Sequence, residues 1–187
     1  MQYKQKVFEY FVALENVLRN IQLDEVDTFL NVLSASRREG RQVFIFGNGG
    51  SGSTASHMTC DLNKGASLGK SRRFKVICLN DNVPTMTAYA NDITYDDIFV
   101  EPLRNFLLPG DVVIGISGSG NSENVIRAIE YANEHEAVTV GLCGYSGGRL
   151  KEKARHSVHV NVNDMQKVED VHLILGHLAM QILAGEE

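Results

Sequence analysis

The amino-acid sequence predicts an α/β fold: a three-layer α/β/α sandwich built on a five-stranded parallel sheet, with a helical extension at the N-terminus. Three observations lead to this fold class. Five short apolar segments follow residue 42, helical patterns fill the intervals between them, and a helical pattern also occupies residues 1–40. Strands that alternate with helices along a chain are typical of a parallel sheet covered by helices on both faces.

The first forty residues carry apolar side chains at helical spacing, in two stretches. The first stretch contains Val7, Phe8, Phe11, Leu14, Val17, Leu18 and Ile21, and the second contains Val26, Phe29, Leu30 and Leu33. This spacing predicts two amphipathic helices, the second of them capped by Asp24. Because the apolar faces are wide, we expect part of this surface to contact another subunit.

The five apolar segments predict the strands of the sheet. They span residues 43–46, 76–79, 112–116, 138–142 and 158–162. The first four are apolar throughout, which predicts strands buried on both faces, whereas the fifth alternates and predicts an edge strand. Helical patterns over 123–136 and from about 166 to 183 complete the predicted layers.

Composition and charge exclude several classes of protein. The chain of 187 residues is 43% hydrophobic and carries 18 Lys and Arg against 23 Asp and Glu, a formal net charge of −5. We therefore expect a single domain over 1–187, with oligomer-forming helices over 1–40 and an α/β core over 41–187. Without a long basic run or an apolar run of ~20 residues, neither nucleic acid nor a membrane is an expected partner. The start of the chain lacks the apolar segment of a secretory signal, so we expect a cytoplasmic protein.

Two loops rich in glycine and serine follow the first and third predicted strands. They read Gly47-Asn48-Gly49-Gly50-Ser51-Gly52-Ser53 and Ser117-Gly118-Ser119-Gly120-Asn121-Ser122. Open parallel sheets bind ligands beyond the carboxyl ends of their strands, where backbone amides and helix N-termini favour anions. Glycine lets the backbone approach a phosphate, and serine hydroxyls donate hydrogen bonds to its oxygens. The two loops together predict a site for a phosphomonoester.

Two other interpretations of these loops stay open. Tight turns between strands and helices are often rich in Gly and Ser without binding any ligand. The pattern Gly47-x-Gly49-x-x-Gly52 also matches the fingerprint of dinucleotide-binding proteins. Two observations argue against nicotinamide binding. The candidate acidic residue, Asp81, lies about thirty residues after the glycine motif, whereas the fingerprint places it about twenty residues after. A dinucleotide site also does not require a second serine-rich loop.

A histidine and a carboxylate follow the first loop at helical spacing. His57 and Asp61 are four residues apart, so they lie on one face of the predicted helix and can hold a metal ion or act as acid and base. A solvated surface pair is the alternative. The terminal helix adds polar residues that need partners among apolar neighbours. These are Glu169, Asp170, His172 and His177.

The spacing of two residues in the terminal helix restricts how a metal site could form. Glu169 and His177 are eight residues apart, which corresponds to roughly 12 Å of helical rise. One ion cannot bind both residues of a straight helix in one chain. Either the helix begins after Glu169 or two subunits contribute, and the second alternative predicts an active site at an oligomer interface.

At these residues the chain resembles the phosphoheptose isomerase branch of the SIS (sugar isomerase) domain family, whose sheet is flavodoxin-like. Besides the two loops and the terminal helix, the resemblance covers Ala90-Asn91-Asp92 and Gly144-Tyr145-Ser146-Gly147-Gly148. It implies a homotetramer with active sites at subunit interfaces. The implied reaction converts sedoheptulose 7-phosphate into D-glycero-D-manno-heptose 7-phosphate through an enediolate. The alternative is a non-catalytic SIS protein that binds a sugar phosphate and acts in regulation.

The resemblance also implies site residues and a divalent metal, Zn²⁺. The implied substrate-binding residues are Asn48, Gly49, Gly50, Ser51, Asn91, Asp92, Ser117, Gly118, Ser119, Ser122 and Glu169. The implied metal ligands are His57, Asp61, Glu169 and His177, of which Asp61, His177 and Glu169 also have catalytic roles. The family pattern of ligands is His, Glu, Gln and His. Asp61 therefore replaces a glutamate and Glu169 replaces a glutamine, which makes the site more negative and shortens one ligand.

Overall fold

A five-stranded parallel sheet forms the centre of the molecule. In the computed structural model, which describes residues 2–186, the strands are β1 (Gln42–Gly47), β2 (Lys75–Cys78), β3 (Val112–Ser117), β4 (Val138–Gly144) and β5 (His156–Val160). Their order is β2-β1-β3-β4-β5, and each neighbouring pair is parallel. The predicted sheet is confirmed, as is the edge position of the fifth strand.

Helices precede the sheet and connect its strands. They are α1 (Gln2–Arg19), α2 (Leu23–Glu39), α3 (Gly50–Cys60), α4 (Val83–Asp92), α5 (Val100–Phe106), α6 (Glu123–Glu134), α7 (Gly148–Lys153) and α8 (Met165–Ala184). A π-helical turn over Asp61–Gly65 continues α3, and a 3-10 turn over Tyr95–Asp97 precedes α5. Within residues 2–186, no helix combines the length and the apolar character needed to cross a membrane.

Two apolar clusters cover the opposite faces of the sheet. On one face, α2, α3 and α8 pack against the strands through buried residues such as Phe29, Met58 and Leu175. On the other face, α5 and α6 contribute buried residues such as Leu103 and Ile129. Each large apolar side chain removed from water stabilises the fold by roughly 1.5 to 3 kcal/mol. The predicted three-layer sandwich is confirmed.

The second strand differs from its prediction as a strand buried on both faces. β2 lies at an edge of the sheet, and its residues alternate between exposed and buried, with Ile77 38% exposed. The segment 76–79 is apolar throughout, so its composition resembles that of a central strand. Position in the sheet, which apolar composition does not record, decides how much of a strand is covered.

The second helix, α2, belongs to the sandwich itself. Its residues Phe29 and Leu33 are buried in the cluster on one face of the sheet. The predicted cap, Asp24, lies instead in the first turn of the helix, because the helix begins at Leu23 and Gln22 is the N-cap. A carboxylate in the first turn still interacts favourably with the helix dipole.

The first helix, α1, leaves much of its apolar surface exposed. Phe8 and Phe11 are each 63% exposed. Tyr10 joins α1 to α8 by donating a hydrogen bond to Asp170, and this bond raises the pKa of Tyr10 to about 12. The ammonium of Lys167 lies 4.3 Å from the centroid of the same tyrosine ring. α1 is therefore attached to α8 while its exposed apolar face can meet another surface.

Candidate active site

Both predicted loops lie at the carboxyl edge of the sheet, where the order of the strands reverses. β1 and β3 are neighbours, and the helices that follow them, α3 and α6, cover opposite faces. Open parallel sheets bind their ligands at such a switch point. A cavity of about 180 Å³, the serine pocket, opens there. Its lining residues are Asn48, Ser51, Ile116, Ser117, Gly118, Ser119, Ser122, Met165 and Glu169.

Serine hydroxyls of the second loop line the serine pocket. Ser117 is the last residue of β3 and is 3% exposed, and its hydroxyl lies 3.1 Å from that of Ser122. The hydroxyl of Ser119 accepts a hydrogen bond from the backbone amide of Asn121, at 3.2 Å. Because Ser119 accepts in this bond, its own proton stays available for an oxygen of a ligand.

Close backbone contacts fix the shape of the serine-rich loop. Gly120 has a φ of +69°, and a Cβ at this position would lie 1.9 Å from the carbonyl oxygen of Gly147. Gly148 has a φ of +54°, and a Cβ there would lie 2.7 Å from the carbonyl oxygens of Ser119 and Gly120. Only glycine permits both the left-handed backbone and the close approach. The backbone around Gly147 and Gly148 therefore packs directly against the serine-rich loop and holds its shape.

The amide of Asn48 is held at the pocket by two side chains that the sequence did not single out. It forms two hydrogen bonds with the amide of Asn124, at 2.9 and 3.0 Å. It also accepts a hydrogen bond from the hydroxyl of Tyr95, at 2.8 Å. Asn124 is spaced four and eight residues before Ala128 and Ala132, on the face of α6 that is buried. A polar residue on the apolar face of a helix needs partners, and this spacing is the one signal that the sequence contained.

Glu169 lies in the serine pocket, beside the start of α3. A Cβ at Gly50 would lie 2.7 Å from Oε1 and 2.8 Å from Oε2 of Glu169, so the carboxylate abuts this glycine. Gly50 is the first residue of α3, where free backbone amides and the helix dipole favour negative charge. Glu169 thus joins the two loops at the predicted substrate site.

Three of the four predicted metal ligands form a compact triad, His57, Asp61 and His177. Nε2 of His57 lies 3.0 Å from Nε2 of His177 and 3.4 Å from Oδ2 of Asp61, and Nε2 of His177 lies 3.9 Å from the same oxygen. His57 and Asp61 come from the end of α3 and the residue after it, and His177 comes from α8. The two imidazole side chains are each 48% exposed, while that of Asp61 is 18% exposed.

The triad fits a divalent metal ion in both chemistry and geometry. One ligand atom from each residue lies within 4.8 Å of the others. Oδ2 of Asp61 is buried and has no hydrogen-bond partner within the described part of the chain, which is unfavourable for a carboxylate oxygen. Ligands about 2.0 to 2.2 Å from a tetrahedral ion lie roughly 3.4 Å from one another. The three distances within the triad, 3.0, 3.4 and 3.9 Å, bracket that value.

Glu169, the fourth predicted ligand, is not part of the triad. α8 begins at Met165, so Glu169 and His177 lie on one continuous helix, roughly 12 Å apart along its axis. A helix that begins after Glu169 is therefore excluded. Within one chain, Glu169 lines the serine pocket and His177 belongs to the triad.

The predicted substrate-binding pair Asn91 and Asp92 belongs to neither the serine pocket nor the triad. These two residues are exposed at the end of α4, where the amide of Asn91 donates to the carboxylate of Asp92 at 2.8 Å. Neither residue lines the serine pocket. One chain therefore brings the two loops and Glu169 together, and leaves this pair at the surface.

A π-helical turn begins at the triad. It spans Asp61–Gly65 and continues directly from α3. A Cβ at Gly65 would lie 2.7 Å from Cγ of Met180, so the turn presses its backbone against α8, the helix that carries His177. π-Helical turns within helices occur frequently at functional sites.

A further histidine, His172, lies in α8 between Glu169 and His177. It is 1% exposed, and its Nε2 lies 3.4 Å from the carbonyl oxygen of Cys143. Its Nδ1 has no hydrogen-bond partner among residues 3–186. Burial lowers the pKa of His172 to about 4. The imidazole is therefore neutral at physiological pH, and it lies outside the triad.

Comparison with known proteins identifies the family. The model of the SIS domain matches residues 9–144. The phosphoheptose isomerase of Rhodospirillum rubrum is 36% identical over 147 residues, covering 79% of this chain and 78% of that protein. The phosphoheptose isomerase of Helicobacter pylori is 31% identical over 175 residues, covering 94% and 90%. The structure of a phosphoheptose isomerase from Francisella tularensis, 24% identical, has the same fold, with a TM-score of 0.91 over 100% of both chains. The chain therefore belongs to the phosphoheptose isomerase branch of the SIS domain family.

Proposed function

We propose that this sugar-phosphate isomerase interconverts sedoheptulose 7-phosphate and D-glycero-D-manno-heptose 7-phosphate. The observation that carries the proposal is the triad of His57, Asp61 and His177 in a fold that also contains a serine pocket. A protein that only binds a sugar phosphate needs the pocket, but it does not need a cluster of acid, base and metal-ligating groups. The choice of substrate is supported by two relatives, both phosphoheptose isomerases, at 36% and 31% identity.

The reaction requires a base beside the carbonyl carbon, an acid at the neighbouring carbon, and stabilisation of the enediolate between them. We assign the proton transfers to the carboxylate of Asp61 and the imidazole of His177, with support from Glu169. His57, Asp61 and His177 would hold a divalent ion, Zn²⁺ in our proposal, which would supply electrophilic stabilisation of the negative charge that develops in the reaction. The hydroxyls of the serine pocket bind the phosphate and orient the sugar chain.

We further propose that the active site forms between the subunits of a homotetramer. The imidazoles of the triad are half exposed, and a groove of about 380 Å³ runs beside His177 along α8. Exposed apolar residues of α1, such as Phe8 and Phe11, are typical of an oligomer interface. Because Glu169 and His177 lie roughly 12 Å apart along one helix, Glu169 and the serine pocket of one subunit would complete the triad of another.

The activity is tested by incubating metal-replete and chelator-treated protein with sedoheptulose 7-phosphate in heavy water. We expect metal-dependent formation of the aldose, with deuterium at the carbons next to the carbonyl, because the base that removes the substrate proton exchanges it with solvent before the enediolate is protonated again. Nuclear magnetic resonance measures both product and exchange. Binding of the sugar phosphate with neither product nor exchange would reject the proposed reaction.

The shared site is tested by mixing two variants, His177→Gln and Ser119→Ala/Ser122→Ala, after unfolding and refolding them together. The first is expected to lose turnover and the second to bind substrate weakly, so activity is measured at a substrate concentration far below KM. If each site takes its triad from one subunit and its serine pocket from another, random mixing restores about a quarter of the sites. If both parts come from one chain, every site retains a defect and the mixture stays at the baseline. Each variant refolded alone gives the baseline of the measurement.

A further inference from the structure

The amide of Asn48 is held in a closed pair with a buried amide. Nδ2 of Asn48 donates to Oδ1 of Asn124 at 2.9 Å, and Nδ2 of Asn124 donates back to Oδ1 of Asn48 at 3.0 Å. The hydroxyl of Tyr95 donates to the same Oδ1 of Asn48 at 2.8 Å. Asn124 is 2% exposed, so water does not compete for its side of the pair. Asn48 is thus fixed by side chains from two other segments of the chain.

A backbone hydrogen bond determines the orientation of both side-chain amides. Oδ1 of Asn124 accepts a hydrogen bond from the backbone amide of Val125 at 2.9 Å, so this atom is an oxygen and not a nitrogen. The atom of Asn48 that faces it must then be the donor, and the other atom must be the acceptor. Both lone pairs of the Asn48 oxygen are used, by Asn124 and by Tyr95, while one N–H of Asn48 stays available.

The position of Tyr95 is fixed by ion pairs of the two residues that follow it. It begins the 3-10 turn Tyr95–Asp97, and the carboxylates of Asp96 and Asp97 lie 3.4 and 3.0 Å from the guanidinium of Arg127. Hydrogen bonds to Asp97 and then to Glu123 raise the pKa of Arg127 above its ordinary value. Arg127 lies three residues after Asn124 on α6. Both supports of Asn48 are therefore attached to the same helix.

We propose, on the basis of the function proposed above, that Tyr95 and Asn124 are positioning residues that present Asn48 to the sugar phosphate as a hydrogen-bond donor only. Asn48 lines the serine pocket, and its free N–H is the one group it can offer to a ligand. The pocket thereby selects an acceptor, such as a phosphate oxygen, at this position. If the side-chain amide of Asn48 could rotate by 180°, a fraction of the molecules would present its oxygen to the phosphate. That oxygen would repel the phosphate oxygens.

The test uses Tyr95→Phe, which removes one hydroxyl from a residue that is 55% exposed and so leaves the fold intact. Calorimetry measures the Kd of inorganic phosphate in metal-free protein, and steady-state kinetics measure kcat and KM in metal-loaded enzyme. We expect Kd and KM to rise about threefold to tenfold, the effect of one hydrogen bond. kcat should not change, because a contact to phosphate is made equally in the ground state and the transition state.

Two further variants separate positioning from a general structural effect. Tyr131→Phe removes a tyrosine hydroxyl further along α6 and should leave Kd and KM unchanged. Asn48→Ala should weaken phosphate binding by at least as much as Tyr95→Phe. Adding Tyr95→Phe to Asn48→Ala should then have no further effect, because the residue that Tyr95 positions is gone.

The outcomes distinguish this proposal from the proposed function. An unchanged Kd in Tyr95→Phe, or a full additional loss in the Asn48→Ala background, would overturn the positioning role even if the enzyme is an active isomerase. A wild-type protein that binds phosphate but does not isomerise the heptose rejects the reaction alone, and the phosphate measurements still decide the role of Tyr95. A wild-type protein that binds neither inorganic phosphate nor sedoheptulose 7-phosphate overturns both.

Discussion

The serine pocket and the triad are built in opposite ways. In the pocket, polar side chains bond to one another within the chain, as Ser117 does with Ser122. In the triad, the imidazoles are half exposed, and the buried oxygen of Asp61 has no hydrogen-bond partner among the described residues. The lining of the pocket comes from one chain, whereas the triad fits an ion and is partly open to solvent. On the proposed function, we therefore expect binding of the phosphate and chemistry at the carbonyl to be separable.

The strongest test of this separation is His177→Gln. We expect turnover of sedoheptulose 7-phosphate to fall about 10²- to 10⁴-fold, the contribution of a positioned acid or base, and metal content to fall with it. The Kd of inorganic phosphate should stay unchanged, because the serine pocket does not include His177. Kinetics, metal analysis and calorimetry measure the three quantities.

The matched control for that variant is His135→Gln, which replaces an exposed histidine after the end of α6. It should retain wild-type turnover and metal content. Unchanged turnover in His177→Gln would remove this residue from the chemistry, and lost phosphate binding would show that the two regions are not separable.

A second prediction concerns the stability of α8, the helix that joins the two regions. Folding lowers the pKa of His172 from 6.5 to about 4 by burial, so between these pH values the unfolded chain binds the proton that the folded chain excludes. The stability that neutral His172 contributes is present above pH 6.5 and is lost as the pH falls towards 4. With about 1.4 kcal/mol for each pKa unit, the loss reaches roughly 3 kcal/mol.

This dependence is measured as the free energy of unfolding in urea from pH 7 down to pH 4, for wild type and His172→Leu. The wild type should lose more stability than the variant over this range, while His135→Gln should follow the wild type. Parallel pH profiles for wild type and His172→Leu would contradict the prediction.

The third prediction, with a smaller expected effect than the other two, concerns a single hydroxyl of the pocket. Ser119→Ala should raise KM and the Kd of phosphate about tenfold, since a hydrogen bond to a charged group contributes about 1.5 kcal/mol or more. Metal content and kcat should remain at the wild-type level. Ser71→Ala, in the loop before β2, is the matched control. A fall in kcat without a change in KM would connect Ser119 with the chemistry rather than with binding.

Local sequence pattern was sufficient for most of the fold and for the parts of the site that lie close together in the chain. Apolar segments predicted the five strands, and helical spacing predicted that His57 and Asp61 share a face. The edge position of β2 was missed because its composition is that of a central strand. The contact of His177 with His57 arises only when α8 packs on α3, which no local pattern records.

Residues that act through other residues were the hardest to predict. Tyr95 and Asn124 are 47 and 76 residues from Asn48 in the chain, and neither belongs to a glycine or serine motif. Their role depends on tertiary contacts that orient one amide. The sequence spacing did indicate that Glu169 and His177 of one chain do not bind the same ion. Both residues lie on α8, and their separation along this helix is too large for a single ion.

The π-helical turn at Asp61–Gly65 makes the effect of a deletion depend on its position. Its hydrogen bonds run from residue i to residue i+5, so it holds one residue more than an α-helical turn. Deleting one residue within it, such as the exposed Lys64, would therefore leave an ordinary α-helical turn, with the residues that follow in nearly the same orientation relative to His57. Deleting a residue between His57 and Asp61, such as Thr59, would instead rotate Asp61 by about 100° relative to His57 and remove it from the triad.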